Sequence, residues 1–329
     1  MKAGIRFGVG ALVCAVSLAA IAGDARAAST TYASVIALDT NGAVYVEELT
    51  KTAGCSSVLT ESRVSHVGTV TNLLADIDGD GLSDLVEWNA ATVYVSFGQV
   101  DLAGTALFSG ENRLLNQTFS GNVANLVYDA NGDGYQDLIA WNTNSIYYAA
   151  GNGRSSFSAP ALLSSYTFYG QKANTLGDVN ADGAPDFIAW DNGSMWVMAS
   201  GSSGYSAPTE WLNGGFYGSV ANLNGFYATH YNNLNIAWNS SSIWVTDSNS
   251  CLCSFGTPSQ AGSGSFSGSQ ANLAVDVNLD GYTDLVAVNA SNMKVELFNT
   301  TGGYGTSATT WCTNTFYGSE ATLAGYTAR

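Results

Sequence analysis

The chain has 329 residues, 46% of them apolar, with 10 basic against 26 acidic residues for a formal net charge of −16. So large an acidic excess excludes a nucleic-acid binder, whose affinity comes from Lys and Arg neutralising phosphates, and it disfavours adsorption to an anionic membrane. The apolar content suffices for a sizeable core, yet past the first 27 residues no run approaches the ~18 apolar residues of a membrane span.

Residues 1–27 read as a secretory signal. Lys2 and Arg6 precede an apolar stretch from Val9 to Ala22, and Ala25-Arg26-Ala27 offers an A-x-A cleavage site. Cleavage there would put the protein outside the cell as one domain over residues 28–329. Losing Lys2, Arg6, Asp24 and Arg26 removes three positive charges and one negative, taking the net charge from −16 to −18. From Ser34, SVIALDTNGAVYVEEL reads as two short strands about a polar turn. A short lead strand, TNL, begins at Thr71 and runs into DIDGDGLSD from Asp76. The apolar run DLVEWN, a polar turn and another strand follow.

That succession repeats. Leads begin at Thr71, Ala124, Ala173, Ala221, Ala271 and Ala321, spaced by 53, 49, 48, 50 and 50 residues. Five residues ahead of each later lead stands Phe119, Phe168, Phe216, Phe266 or Phe316, with Gly two positions on; the first unit has His66 and Gly68 there. Four strands per ~50 residues is the size of a propeller blade. The expected fold is therefore all-β: a six-bladed β-propeller of four-stranded antiparallel blades. Its last lead, FYGSEATLAGYTAR, lacks later strands, and the strands from Ser34 lack a lead, so the two should join as one hybrid blade that closes the ring and removes exposed sheet edges.

Four units carry D-x-[DN]-x-D-G-x-x-D. Positions one, three, five, seven and nine are Asp76, Asp78, Asp80, Leu82 and Asp84; Asp129, Asn131, Asp133, Tyr135 and Asp137; Asp178, Asn180, Asp182, Ala184 and Asp186; and Asp276, Asn278, Asp280, Tyr282 and Asp284. Oxygen side chains at four offsets, a main-chain carbonyl at the seventh and a turn-making Gly at the sixth suit Ca²⁺, which takes six to eight oxygens. These are not EF-hands: position twelve is Glu87 once and Ala140, Ala189 and Ala287 otherwise, and strands, not helices, follow. Four structural Ca²⁺ are expected. In the fourth unit Phe226, Ala228, His230 and Leu234 replace the ligands, and the hybrid blade has no loop. Cys55, Cys251, Cys253 and Cys312 suggest disulfides in an exported chain, with three connectivities open; zinc competes less well, because Cys251-x-Cys253 is too closely spaced.

The recurring string F-[YS]-G-x-x-A-N-L-x-x-D-x-N-x-D-G-x-x-D-[LF]-[IV]-A-W resembles the FG-GAP/VCBS repeat family over nearly all of residues 28–329. That family includes the propeller of integrin α chains and several secreted lectin-like propellers. The resemblance implies the propeller and its calcium; function varies freely within such a fold. Ala-Trp-Asn stands where the family's GAP would be.

In an up-and-down blade the calcium loops share one face with the connections between third and fourth strands. The opposite face should gather Asn89, Asn142, Asp191, Asn239 and Asn289 with Tyr169, Tyr217 and Tyr317, a set that suits a sugar. Trp88, Trp141, Trp190 and Trp238 end the second strands, and Tyr45, Tyr94, Tyr147, Trp196 and Trp244 share a slot in the third. Two readings of the tryptophans stand: packing between blades, or stacking on sugars between blades. No nucleophile elbow or zinc-protease helix is present. The expected activity is a monomeric, non-enzymatic, multivalent module for an extracellular glycan or glycoprotein. A protein-binding adhesion propeller and an enzyme with one site on an irregular blade are the alternatives.

Overall fold

The computed structural model describes residues 31–50, 54–55, 60–100, 108, 110–153, 155–202, 204–227, 230–299, 303–305, 308–313 and 316–328. The signal segment, Ala228 and Arg329 lie outside these residues, as do the side chains of Phe226 and His230. All described regular structure is strand, in six four-stranded antiparallel sheets plus one small hairpin.

Blade 1 runs Thr71–Ala75, Asp84–Trp88, Val93–Ser96 and Asn112–Leu115. Blade 2 runs Ala124–Tyr128, Asp137–Asn142, Ser145–Ala149 and Ala161–Ser164. Blade 3 is Ala173–Gly177, Asp186–Trp190, Ser194–Met198 and Thr209–Asn213. Blade 4 is Ala221–Tyr227, His230–Trp238, Ser242–Thr246 and Ser259–Ser263. Blade 5 is Ala271–Val275, Asp284–Val288, Met293–Glu296 and Thr309–Cys312.

The sixth blade is the expected hybrid. Its inner strand is the C-terminal Ala321–Ala328, and Thr31–Leu38, Ala43–Leu49 and Thr60–Arg63 complete it. The joint runs in register from Thr31↔Ala328 to Leu38↔Ala321. In the two loop-free blades the inner strands lengthen instead: Ala221–Tyr227 pairs with His230–Trp238, and Ala321–Ala328 with Thr31–Leu38.

The core is organised as seams. Leu73, Val86, Trp88 and Val95 on one side of blade 1 pack with Val127, Leu138, Ala140 and Ala149 of blade 2. Each following pair of blades repeats this arrangement. The Ala-Trp dipeptide explains the fit. Adjacent strand residues point to opposite faces, so a blade offers Trp to the next blade and Ala to the one before. Trp88 shares a seam with Ala140, Trp141 with Ala189, Trp190 with Ala237, and Trp238 with Ala287. At the joint of the hybrid blade with blade 1, Leu38 replaces Trp, and the larger Glu87 stands where the other blades have Ala.

Candidate metal loops and ligand-binding face

The four acidic loops share one geometry. In blade 1 the Asp76 carboxylate accepts N–H bonds from Gly79 (2.8 Å), Asp80 (3.0 Å) and Gly81 (2.9 Å), and Asp80 Oδ1 accepts the amide of Leu82 (3.0 Å). Asp129, Asp178 and Asp276 receive the amides of Gly134, Gly183 and Gly281 in the same way, at 2.8, 2.9 and 2.7 Å. The sixth-position glycines Gly81, Gly134, Gly183 and Gly281 have φ of 86°, 91°, 87° and 88°, a left-handed conformation in which a Cβ is costly. The fourth position is left-handed too. Gly79 and Gly132 fill it in blades 1 and 2, but Ala181 and Leu279 hold φ of 59° in blades 3 and 5.

The ninth-position Asp anchors each loop to the sheet. Asp84 accepts the amides of Ile77 and Gly98, both at 2.7 Å. Asp137 bonds Ala130 and Gly151, Asp186 bonds Val179 and Ser200, and Asp284 bonds Val277 and Phe298. Burial, opposed in part by these amides, pushes the Asp84 carboxyl up to about 8, Asp137 and Asp284 to about 7 and Asp186 to about 6. Neighbouring loop carboxylates add to the rise. Buried, clustered acids of this kind want a counter-charge. In blade 1, carboxylate oxygens of Asp76, Asp78 and Asp84 converge within 4.8 Å of one another. The donors are oxygen throughout, so the loop residues fit a hard divalent cation. In blades 2, 3 and 5 the third-position Asn donates to the fifth-position Asp, at 3.0, 3.1 and 2.9 Å.

On the opposite face the structure separates the candidate ligand residues. Trp88, Trp141, Trp190 and Trp238 are 0% exposed. Each stacks on the Phe of the following link: Phe119, Phe168, Phe216 or Phe266. The indole N–H groups of Trp88, Trp141 and Trp238 donate to the carbonyls of Phe119, Phe168 and Phe266, and Trp190 donates to Thr175 Oγ1. A covered indole has no face for a sugar, so the tryptophans leave the candidate surface and belong to the seams.

Asn89, Asn142, Asp191, Asn239 and Asn289 do come to this face, and each has a structural task. Their Oδ1 atoms accept the amides of Thr69, Asn122, Gln171, Ser219 and Ser269, the residue after each link Gly. Asp39 does the same for Ser319 in the hybrid blade, a role readable from the alignment of IALDT with IAWNT. A second clamp lies further in: Asn72, Asn125, Asn174, Asn222 and Asn272 accept the amide of the link Gly itself at 2.6–2.8 Å. These side chains border an axial cavity of about 830 Å³.

Among the described residues the exposed aromatics are Tyr166 (45%), Tyr169 (43%), Tyr217 (38%) and Tyr317 (38%) on or beside the links, Tyr135 (42%) on the second acidic loop, and Tyr147 and Trp244 (both 37%) in the third-strand slot. The third-strand residues lie at the outer part of the seams beside outer-strand partners: Trp196 opposite Glu210 and Trp244 opposite Gln260. Tyr94 differs. His66 covers it at 3.8 Å and 9° while binding Glu111 at 2.7 Å.

Fold and site therefore define a six-bladed propeller with acidic loops on one face. An FG-GAP-like repeat model matches residues 129–189, from the second loop through the third, and the six-bladed ring fits a β-propeller built from such repeats. No curated protein sequence matches the chain. Among solved structures, an Agrocybe aegerita lectin that recognises non-reducing terminal N-acetylglucosamine aligns with a TM-score of 0.63 at 14% identity, over 90% of this chain and 95% of that one. The Photorhabdus luminescens Tc holotoxin pore aligns with a TM-score of 0.56 at 14% identity, over 91% of this chain but 16% of that one. At such identities the likeness concerns the fold. Among the described residues, no helix is long and apolar enough to cross a membrane.

Proposed function

We propose that the protein is a secreted, calcium-stabilised propeller that binds carbohydrate without turning it over, through several sites around the ring. The observation that carries this reading is the recurring exposed aromatic. Tyr147 and Trp244 keep more than a third of their surface open at the outer seams, and Tyr169, Tyr217 and Tyr317 do so on the link face. The exposed Trp244 ring beside Gln260 offers what a sugar needs: a surface for its C–H face and a polar group for its hydroxyls. Weak sites repeated around one rigid ring gain avidity on a multivalent glycan. The lectin with the same fold supports this choice over the adhesion and enzyme alternatives.

Calcium in this reading is structural. Four ions, at the loops starting at Asp76, Asp129, Asp178 and Asp276, would offset the burial and mutual repulsion that raise the carboxyls of these loops. A glycan array run on the folded, calcium-loaded protein tests the proposal. Binding to a coherent family of glycans, lost in Trp244→Ala and Tyr147→Ala, is expected. A blank array from folded protein refutes the carbohydrate reading.

A further inference from the structure

The seam between blade 5 and the hybrid blade differs from the others in chemistry. In blades 1, 2 and 4 the connection between third and fourth strands inserts a phenylalanine, bridged as Gly98↔Phe108, Gly151↔Phe157 and Ser248↔Phe255. Two of these lean on the preceding blade: Phe157 N donates to Leu114 O, and Phe255 N to Trp211 O. The hybrid blade puts Cys55 at this bridge, opposite Leu49. Its partner is Cys312, on the outer strand of blade 5, with Cα atoms 5.6 Å apart.

A third substitution sits beside the pair. Two residues past the third-strand slot, blades 1 to 4 carry Ser96, Ala149, Met198 and Thr246; blade 5 carries Glu296 and the hybrid blade Glu47, and of these two glutamates Glu47 is the one grouped with the sulfurs. Glu47 is 1% exposed, and a carboxylate oxygen of it lies within 4.8 Å of both sulfur atoms, which are themselves buried or partly so. Once reduced, the two cysteine sulfurs and the converging carboxylate would make a three-ligand set for a thiophilic divalent ion, which commonly takes water as its fourth ligand.

We infer that Cys55, Cys312 and Glu47 form a redox-dependent zinc-type site, in which a bound ion replaces the disulfide as the cross-link of the ring. The position gives the site its purpose. Cys55 belongs to the N-terminal strands and Cys312 to the C-terminal part, so this cross-link spans the joint that otherwise rests on the pairing of Thr31–Leu38 with Ala321–Ala328. Reduction by a phosphine delivers two electrons and leaves the phosphine as its oxide. Two protons from water complete the two thiols, and metal entry releases both protons as the thiolates form. This inference stands apart from the carbohydrate reading.

The test uses the calcium-loaded protein with Cys251→Ser and Cys253→Ser, which removes the other disulfide. After anaerobic reduction it is titrated with Co²⁺, then with Zn²⁺. The expected result is one equivalent of Co²⁺ with a thiolate charge-transfer band, displaced by Zn²⁺ and lost when Cys312→Ser is added. Carboxylate loops that take up Co²⁺ give no such band. Glu47→Gln should weaken binding about tenfold or more, since even partners one shell out from a metal cost that much. A folded, reduced protein without the band, or a band that survives Cys312→Ser, overturns the inference. If reduction itself opens the ring, Zn²⁺ must restore the native circular dichroism; failure to do so overturns it equally.

Discussion

Replacing Trp141 and Trp244 by alanine, one at a time, should separate the two kinds of aromatic in this ring. Trp141 is 0% exposed, stacks on Phe168 at 5.2 Å, meets the edge of Phe187 at 5.1 Å and donates to Phe168 O at 2.6 Å. Truncating a buried Trp to Ala costs about 3–5 kcal/mol. The orphaned carbonyl of Phe168 adds about 1 kcal/mol or more. A total near 5 kcal/mol corresponds to a fall in Tm of about 10 °C for a domain of this size. Trp244 is 37% exposed, so its loss should cost about 1 kcal/mol or less. Thermal melts in calcium buffer, paired with glycan-binding measurements, read both effects. Trp141→Ala should melt early, and Trp244→Ala should melt close to the parent yet bind less. A Trp141→Ala protein melting within about 2 °C of the parent would refute the seam assignment of the whole tryptophan series.

Chelation by EDTA should lower Tm and make it depend on free calcium, as binding to the folded state alone requires; an unchanged melt together with no calcium by elemental analysis would remove the ions from the account. Glu87 should make stability fall with rising pH. Burial first, then the neighbouring Glu111, raise its carboxyl from 4.5 to about 9. The fold therefore holds a proton that the unfolded chain releases above 4.5, and this contribution to stability declines as pH rises, levelling off above about 9. Glu87→Gln should match the parent near pH 4 and exceed it at pH 7 by up to about 3 kcal/mol; equal denaturant midpoints at both pH values would contradict the buried-acid assignment. Gly170→Ala should unfold or strongly destabilise the ring, because its Cβ would lie 2.2 Å from Trp190 N and 2.5 Å from Ala173 O. A normal melt for that variant would show that the link can shift away from its blade.

Much of the architecture was legible because its signals are local and repeated. The loops keep fixed offsets, the strands alternate with period two, and the spacing of leads defines the blade. The incomplete units at the two ends pointed to the joint now seen between Thr31–Leu38 and Ala321–Ala328. The loop of blade 4 was readable as lost from Leu234, although the lengthened strands that replace it were not.

The ligand face was less legible, because exposure depends on a partner about fifty residues away. Trp141 and Trp244 are both aromatic, strand-borne and repeated. One is sealed by Ala189 and Phe168 of neighbouring segments, while the other lies at the open outer edge of its seam. Asn89 and its equivalents look like free amides in the sequence, but the link amide twenty residues earlier occupies each of them. The cysteines gave three possible pairings; only the meeting of blade 5 with the hybrid blade selects Cys55 with Cys312.

By itself the sequence determined the blade count, the strand order, the position of each acidic loop and the hybrid closure, since these follow from short-range pattern and repetition. Tertiary structure alone decided which aromatics stay open, which polar groups are already bonded and where Glu47 meets two sulfurs. Those outcomes turn on contacts between blades, and a side chain's share of solvent is set by the neighbour that covers it.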